Sequence, residues 1–455
     1  MAKKNMQTSF GERVLYGLYA FGAILSYYAI YSYFQLYLTD IGIAPAVVGT
    51  IFMVAKIWDA VNDPMFGVAV DKVHMKGGKF IPWLKVGAFA IPVTTIFMFV
   101  IPSGISMTFK IIWALASYIL WDLAYTMYDA PVNALATVST SDANERNRLY
   151  AIASFGVYLG GILVAILVPA LYPAIGWNIT IIALSIISLL TMIPMPFKAK
   201  ERIKAEKEEE PSIKEILSNM IHNKYLLIVT LAAIIGSVTS FSATVQGYFA
   251  IHCLGDTSMM TPLALASTVP VLLVVFFVPK VIDKHDKFRV YIVTRILNII
   301  LSLAIYFLGY KNLPVFLALV VIRGFIDAFW AQIGVLFVAD CVEYGQFKLG
   351  ERNEGVAFSL KAFTNKMVVA LAGSIGMFLL GAIGFVSGEG VVQTQEVVNG
   401  IWFLYAFCPI IGSAISIVLM LMLYKLRDVD IDLMKKANSG EIDKEEAEKS
   451  FQHRF

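Results

Sequence analysis

Long apolar segments recur along the whole chain, and they constrain its fold more than any other feature. A bilayer core of about 30 Å requires roughly 20 mostly apolar residues in each helix. The sequence is 58% hydrophobic and 15% charged, whereas soluble domains are typically about 25% charged. It therefore predicts an all-α, polytopic membrane protein. Twelve segments have the required length, and they start near Val14, Val47, Trp83, Phe109, Leu149, Ile179, Tyr225, Thr261, Val290, Val315, Val356 and Ile401.

Basic residues concentrate in alternate loops between these segments. Cytoplasmic loops of membrane proteins carry an excess of lysine and arginine, so this bias predicts that both termini are cytoplasmic, in a multi-pass protein of the cell inner membrane. The basic residues are Lys3, Lys4, Arg13, Lys72, Lys76, Lys79, Arg146, Arg148, Lys284, Lys287, Arg289, Lys348 and Arg352.

The longest internal connection lies at the middle of the chain and begins with a run of charges. After that run, Ser212 and Glu215 form a capping-box pattern ahead of an apolar helical stripe, which predicts a short amphipathic helix. Four parts are predicted: an N-terminal six-helix bundle at 1–197, a cytoplasmic linker at 198–224, a C-terminal six-helix bundle at 225–427 and a cytoplasmic tail at 428–455.

Short charged motifs repeat at nearly half the chain length. The offset is 212 residues from Asp71 to Asp283 and 206 residues from Arg146 to Arg352, as the residue numbers show. Two pseudo-symmetric six-helix halves joined by a central loop describe the major facilitator fold, in which the solute site is expected near the midplane between the halves.

Ionisable residues within the apolar segments are the strongest functional signal. A charge at the bilayer centre costs about 2.5–3.5 kcal/mol on insertion scales, so it needs a partner or a water-filled cavity. Asp59 and Asp63 are four residues apart and share a helical face, with Asn62 beside them. Hard oxygen ligands suit Na⁺, Li⁺ or a proton. Pairing of the aspartates with Lys56 is the alternative.

Two further segments carry charges that belong with this set. Asp122 and Asp129 lie on one side of the fourth segment with Thr126 between them. Lys366 lies near the middle of the eleventh segment, where an ammonium must face carboxylates, and Asp59 and Asp63 are its expected counter-charges. A separate set of charges consists of Arg295, Arg323 and Asp327. The sequence leaves open whether these residues only pair with one another or also take part in function.

Other functional classes find no support in the sequence. A net charge of +3 without basic-aromatic stretches argues against nucleic-acid binding. The cysteines match no metal or redox spacing. Neither a nucleophile–base pair nor a metal motif is present, so an enzyme is not expected and no cofactor is predicted.

Several motifs taken together resemble the glycoside–pentoside–hexuronide:cation symporters along nearly the whole length. The motifs are W-D-A-V-N-D-P, G-K-F-I-P-W, Y-T-M-Y-D-A-P, A-D-C-V-E-Y-G-Q-F-K and F-T-N-K. The resemblance implies that Lys366 approaches the cation site and that the solute contacts Asp129, Trp330 and Tyr31. It implies a cation site formed by Asp59, Asn62, Asp63 and Thr126, in which Asp59 and Asp63 are the metal ligands if the ion is Na⁺.

The chain departs from the family pattern on the sugar side. The position of a second sugar-binding aspartate is Ile24, a tryptophan position is Asn133, and an arginine position aligns near Ser154. Asn133 and Lys361, which replaces a neutral amide, are therefore expected to contact the solute. A less acidic pocket would tolerate an anionic sugar such as a hexuronide, whereas the loss of the arginine argues against one.

The sequence therefore predicts a secondary active symporter that imports a sugar or glycoside, such as a hexuronide or a pentoside, with Na⁺ or H⁺. It is expected to function as a monomer in the lipid bilayer. A lipid or amphiphile carrier on the same fold and a non-transporting membrane sensor are the alternatives.

Overall fold

Helices follow one another along the part of the chain that the computed structural model describes, which is residues 6–73, 75–203, 222–350 and 352–453. No strand occurs among these residues. The predicted amphipathic helix after Ser212 lies outside the described residues.

The first half of the chain contains seven helices among its described residues. They are α1 (Phe10–Ala29), α2 (Gln35–Asp40), α3 (Pro45–Lys72), α4 (Ile81–Phe99), α5 (Met107–Ser139), α6 (Ala143–Met192) and α7 (Pro194–Lys198). A π-helical turn at Ile30–Phe34 joins α1 to α2 without a break.

The second half contains eleven helices among its described residues. They are α8 (Lys224–Gly236), α9 (Phe241–His252), α10 (Met260–Val274), α11 (Val278–Ile282), α12 (Lys287–Leu308), α13 (Leu313–Leu349), α14 (Glu354–Ala382), α15 (Gln395–Ala406), α16 (Cys408–Leu423), α17 (Asp428–Ser439) and α18 (Lys444–Ser450). Short 3₁₀ turns lie at Ser237–Ser240 and Thr257–Met259.

Helix length and composition agree with the predicted set of twelve spans. Ten helical stretches among the described residues are long and apolar enough to cross a membrane. One of them contains α6, which is interrupted at Gly176, where φ is 80° and ψ is 163°. Glycine adopts this conformation without a Cβ penalty, so α6 consists of two helices. The 28-residue α3 is also long enough to span, but it carries charges.

Glycines bring α1 and α6 close together. A Cβ at Gly156 would collide with the backbone carbonyl of Gly17, and one at Gly160 would collide with Ile24. Small residues four apart allow the backbones of membrane helices to approach closely. Ile24, at the position where the family has an aspartate, is buried in this contact and 7% exposed.

The beginning of the linker is fixed to the helical bundle. The carboxylate of Glu201 accepts hydrogen bonds from the backbone N–H groups of Lys79, Phe80 and Ile81, at 2.8, 2.8 and 2.9 Å. These N–H groups lie at the start of α4 and have no partner within the helix. Glu201 therefore caps α4, although the sequence suggests only a solvated charge run here.

The described residues fall into two compact units. Unit 1 lies within Met1–Lys207, Ala250–Leu265 and Met377–Val397, and unit 2 lies within Glu208–Phe249, Ala266–Gly376 and Val398–Phe455. In unit 1, the hydroxyl of Thr261 donates to the carbonyl of Ala165 at 2.9 Å. The four-part division predicted from sequence is a different partition and remains a prediction.

The charged tail folds onto unit 2 as α17 and α18. Ile431, Met434 and Ala447 are fully buried in the core of this unit. The carboxylate of Asp430 is also fully buried, and it accepts the backbone N–H of Gln452 at 2.8 Å and contacts His453 Nδ1 at 2.7 Å. The tail is therefore an ordered part of unit 2.

Candidate functional site

A polar stripe on α3 forms the first part of the candidate site. Asp59 and Asn62 are 6% and 3% exposed, and Asp63 is half-buried. The helix begins with Pro45 at its first position, where the missing N–H costs nothing. Because residues three and four apart share a helical face, Lys56, Asp59 and Asp63 lie along one side of α3.

Asp59 is paired with the lysine one turn before it. Lys56 Nζ lies 3.2 Å from Asp59 Oδ2, with the two side chains 18% and 9% exposed. The sequence left open whether this aspartate pairs with Lys56 or binds a cation, and in this structure it pairs.

The other predicted cation ligands converge between α3 and α5. Asn62 Nδ2 donates to Thr126 Oγ1 at 2.7 Å, and it lies 3.5 Å from Asp122 Oδ2. Thr126 Oγ1 in turn lies 3.5 Å from Asp63 Oδ1 and donates to the backbone carbonyl of Asp122 at 3.0 Å. Side-chain oxygen atoms of Asp63, Asp122 and Thr126 thus lie close to the Asn62 amide.

Asp122 is the site residue that the sequence analysis did not assign to the cation site. Its carboxylate is 4% exposed and faces Asn62. The signal was present, because Asp122 precedes Thr126 by four residues and therefore lies on the same face of α5. With Asp59, Asp63 and Lys56, Asp122 belongs to a cluster of ionisable side chains between α3 and α5.

Aromatic rings cover the side of this cluster towards α1. Tyr27 stacks on Tyr31 at 5.9 Å and lies 5.4 Å from Tyr125. Tyr125 stacks on Trp121 at 5.0 Å. Tyr31, a predicted solute contact, is 42% exposed. The indole N–H of Trp121 is buried and has no hydrogen-bond partner among the described residues.

The predicted solute contacts on α5 lie beyond the cation cluster. Asp129 and Asn133 are both exposed. The amide of Asn133 donates to the backbone carbonyl of Asp129 at 3.0 Å, and Tyr150 donates to the carbonyl of Asn133 at 3.2 Å. Asp129 is seven residues from Asp122, so both lie on the same side of α5.

Two other predicted solute contacts, Trp330 and Lys361, lie on or beside α13 in unit 2. The guanidinium of Arg295 lies 4.0 Å from the centre of the Trp330 ring. Lys361 Nζ would lie 3.6 Å from a Cβ placed on Gly334, which is one turn after Trp330. Lys366 is half-buried. About 18 Å separate it from the start of α14 at 1.5 Å per residue, as predicted for a residue near mid-span.

Asp327 does not pair with the two arginines of its own set. Asn298 Nδ2 donates to Asp327 Oδ1 at 2.6 Å, and Ser413 donates to Asn298 Oδ1 at 3.0 Å. Within the described residues, no ion pair of 4 Å or less joins Asp327 to Arg295 or Arg323.

The structure thus gathers Asn62, Asp63 and Thr126, with Asp59 beside them, in unit 1. Asp129, Asn133 and Tyr31 belong to the same unit. Trp330, Lys361 and Lys366 belong to unit 2. The assignment of roles to these residues remains a prediction. Among the described residues, no group of three or more His, Cys, Asp or Glu side chains has the arrangement of a metal site.

Comparison with known proteins gives the family. The sequence matches the family described as MFS/sugar transport protein over residues 15–428. The chain belongs to this family, so it is a multi-pass membrane transporter and not an enzyme. The resemblance inferred from the motifs is confirmed.

Individual relatives are similar over almost their whole length. The isoprimeverose transporter of Lactiplantibacillus pentosus is 28% identical and matches 94% of this chain and 91% of its own. The glucuronide carrier protein homolog of Escherichia coli (strain K12) is 27% identical, with 88% and 90% covered. The crystal structure of the nucleoside transporter NupG superposes with a TM-score of 0.67 at 10% identity, covering 94% of this chain and 100% of that one. This likeness supports the major facilitator fold.

Proposed function

We propose that the protein is a secondary active symporter that imports a sugar or glycoside together with Na⁺ or H⁺ by alternating access. The observation that carries the proposal is the convergence of Asp63, Thr126, Asn62 and Asp122 between α3 and α5. Relatives named as an isoprimeverose transporter and a glucuronide carrier homolog support a sugar-like solute.

The cation site follows from the charges of unit 1. Asp63 and Asp122 both approach the Thr126–Asn62 pair, so a mobile cation bound there would screen the repulsion between their carboxylates. The hydroxyl oxygen of Thr126 and the carbonyl oxygen of Asn62 add neutral ligands. For Na⁺, the Asn62 amide would turn its oxygen to the ion. For H⁺, one carboxylate suffices and the amide can stay as it is.

Asp59 takes part in cation binding through its ion pair with Lys56. A cation that enters beside Asp63 lowers the negative potential that holds Lys56 at 3.2 Å from Asp59. The pair is thereby weakened, and Asp59 becomes able to ligate the ion as the family resemblance implies. Lys56 thus acts as a tethered cation that competes with the mobile one.

The solute is assigned to polar and aromatic residues of each unit. A carboxylate such as that of Asp129 accepts hydrogen bonds from sugar hydroxyls, and an aromatic side chain such as Tyr31 in unit 1 or Trp330 in unit 2 offers an apolar face to a sugar ring. Asn133 and Lys361 supply further donors. We assign coupling to Lys366, as the family resemblance implies, because an ammonium at membrane depth requires a partner or a water-filled cavity and is therefore sensitive to charge.

The setting of the protein is part of the same proposal. Lys72 at the end of α3 and Lys76 and Lys79 in the loop before α4 support a cytoplasmic position for this loop and for both termini in a cell inner membrane. We take the functional unit to be a monomer. An amphiphile carrier is not favoured, because the named relatives handle sugars.

Uptake by membrane vesicles tests the proposal. Vesicles that contain the protein are given an inward Na⁺ or H⁺ gradient and labelled glycosides, pentosides and hexuronides in turn. We expect at least one sugar to accumulate above its external concentration, and collapse of the gradient to abolish this accumulation. Equilibration without accumulation for every sugar and both ions would contradict symport, and no movement at all would favour a sensor.

A further inference from the structure

Unit 2 contains a second group of charged side chains within its spanning helices, and the proposed function leaves two of them unused. Arg295 on α12 lies about 12 Å from the helix start, and Arg323 on α13 lies about 15 Å from its start, at 1.5 Å per residue. Asp327, one turn after Arg323, is the acidic member of the group. We call Arg295, Arg323, Asp327 and Asn298 the α12–α13 cluster.

The two arginines are deeply buried and incompletely satisfied. Arg295 is 2% exposed and Arg323 is 6% exposed. Arg295 Nε and Arg323 Nη1 have no hydrogen-bond partner among the described residues. Buried polar groups are normally hydrogen-bonded, and an unsatisfied one calls for an explanation such as a missing ligand.

An aromatic ring lies against each guanidinium group, and the hydroxyl of Tyr405 interacts with Arg323. Arg295 lies 4.0 Å from the centre of Trp330, and Arg323 lies 5.4 Å from the centre of Tyr405. Contact with a ring face stabilises a cation, and one nitrogen of each guanidinium, Arg295 Nε and Arg323 Nη1, remains without an acceptor among the described residues. Each arginine is therefore held in place with donors still available.

The one carboxylate of the cluster is already engaged. Asp327 accepts from Asn298 at 2.6 Å, and Ser413 donates to the other end of the same amide at 3.0 Å. Two guanidinium groups against one carboxylate leave an excess positive charge in a region of low dielectric. Asp327 itself is exposed.

The cluster continues into the residues already assigned to the solute. Arg323, Asp327, Trp330 and Gly334 are spaced by four, three and four residues, so they share one face of α13. Lys361 Nζ lies beside Gly334 on this face. A solute that packs against Trp330 would therefore meet Arg295 over the ring and Lys361 one turn further along.

We propose that the α12–α13 cluster binds a carboxylate on the transported solute, so that the preferred substrate is an acidic sugar such as a hexuronide and not a neutral glycoside. A carboxylate would satisfy the unpaired guanidinium N–H groups and offset the excess charge, since the planar guanidinium matches two carboxylate oxygens. This inference rests on the proposed sugar symport, and it names the class of sugar.

Binding of matched sugar pairs tests this inference directly. The probes are methyl β-D-glucuronide against methyl β-D-glucoside, and methyl β-D-galacturonide against methyl β-D-galactoside, whose members differ at C6. Equilibrium binding is measured on purified protein in detergent free of anionic lipid. The variants are Arg295→Gln, Arg323→Gln and Arg323→Lys, and the control is Arg289→Gln, an exposed arginine on α12. Thermal melting verifies that each variant is folded.

We expect the acidic member of at least one pair to bind at least about tenfold more tightly to the unchanged protein. Arg323→Gln should weaken acidic-sugar binding by about 10- to 100-fold while neutral-sugar binding changes by less than about threefold. Arg323→Lys should retain part of the preference, and Arg289→Gln should retain all of it. If Arg295→Gln does not fold, the Arg323 pair of variants decides alone.

Preference for the neutral member, absence of binding by both acidic probes, or equal loss of both members in Arg323→Gln would overturn the inference. Gradient-driven uptake of the same probes distinguishes failure of the anion site from failure of symport. Accumulation of a neutral sugar without acidic-sugar binding removes the anion site and leaves symport intact. Binding of an acidic sugar that depends on Arg323, without gradient-driven accumulation, leaves the anion site and removes symport.

Discussion

Replacing Thr126 with alanine tests whether the convergent oxygens of unit 1 bind Na⁺. The change removes the hydroxyl that accepts from Asn62 at 2.7 Å and lies 3.5 Å from Asp63. The Asn62 amide would then have only Asp122, at 3.5 Å, as its acceptor. Leaving a buried donor unsatisfied costs about 1–3 kcal/mol.

The expected loss of ion affinity has a separate origin, which is the ligand oxygen that the substitution removes. If the hydroxyl also ligates Na⁺, the concentration of Na⁺ that half-maximally stimulates uptake should rise about tenfold, which corresponds to about 1.4 kcal/mol. Stimulation by H⁺ should change much less, because a proton needs only a carboxylate. The ratio of the two effects is therefore the informative quantity.

The assay measures initial uptake of the best solute at a series of Na⁺ concentrations and, separately, of pH values. Thr126→Ser keeps the hydroxyl and should keep Na⁺ stimulation. Thr137→Ala is a matched control on α5, where an exposed hydroxyl contacts only the carbonyl of Ala134 at 2.8 Å. Equal loss of Na⁺ and H⁺ stimulation in Thr126→Ala, or no loss, would refute ligation of Na⁺ by Thr126.

Four other substitutions have definite expected outcomes. Asp59→Asn and Asp63→Asn should each abolish gradient-driven accumulation while sugar exchange persists, and unchanged accumulation in vesicles would remove that residue from the cation site. Lys366→Ala should reduce the effect of Na⁺ on sugar affinity, a coupling of about 1–3 kcal/mol in ordinary cases, with little effect on expression; full ion dependence in a binding titration would make it a structural residue. Asp430→Ala leaves the Gln452 N–H unpaired, so thermal unfolding should show a loss of about 1–3 kcal/mol, and an unchanged melting temperature would contradict an ordered tail.

The membrane architecture could be predicted because it depends on a local property of the sequence. Twenty apolar residues are needed wherever a helix crosses the bilayer, so segment length alone locates most spans. The span α3 was also predicted, although Lys56, Asp59 and Asp63 lower its hydropathy. The charges that lower the hydropathy of α3 are costly within a membrane, and for that reason they also indicate a functional site.

The composition of the cation site was predictable only along each helix. Spacing shows that Asp59 and Asp63 share a face of α3, but Lys56 is equally well placed to pair with Asp59, and only side-chain geometry decides between these arrangements. The approach of Asp122 to Asn62 joins residues 60 positions apart. It depends on how α3 packs against α5, which periodicity does not specify.

Unit 2 shows the same limit for the basic residues. The sequence places Arg295, Arg323 and Asp327 within apolar segments and leaves open whether they only pair with one another. The structure instead engages Asp327 with Asn298 and stacks Arg295 on Trp330. Neutral partners such as Asn298 carry no signal of their own in a single sequence, so this rearrangement could not be foreseen.

The central claim is that solute and cation move together, and simultaneous measurement of both fluxes tests it most directly. Purified protein is reconstituted in liposomes, and a transported sugar is added at equal ion concentrations on both sides. Entry of radioactive Na⁺, or of protons reported by an internal pH dye, is recorded with sugar entry. The account predicts ion entry in a fixed ratio to sugar entry, and loss of ion entry in Asp63→Asn. Sugar entry with no accompanying ion, at every sugar concentration, would contradict it.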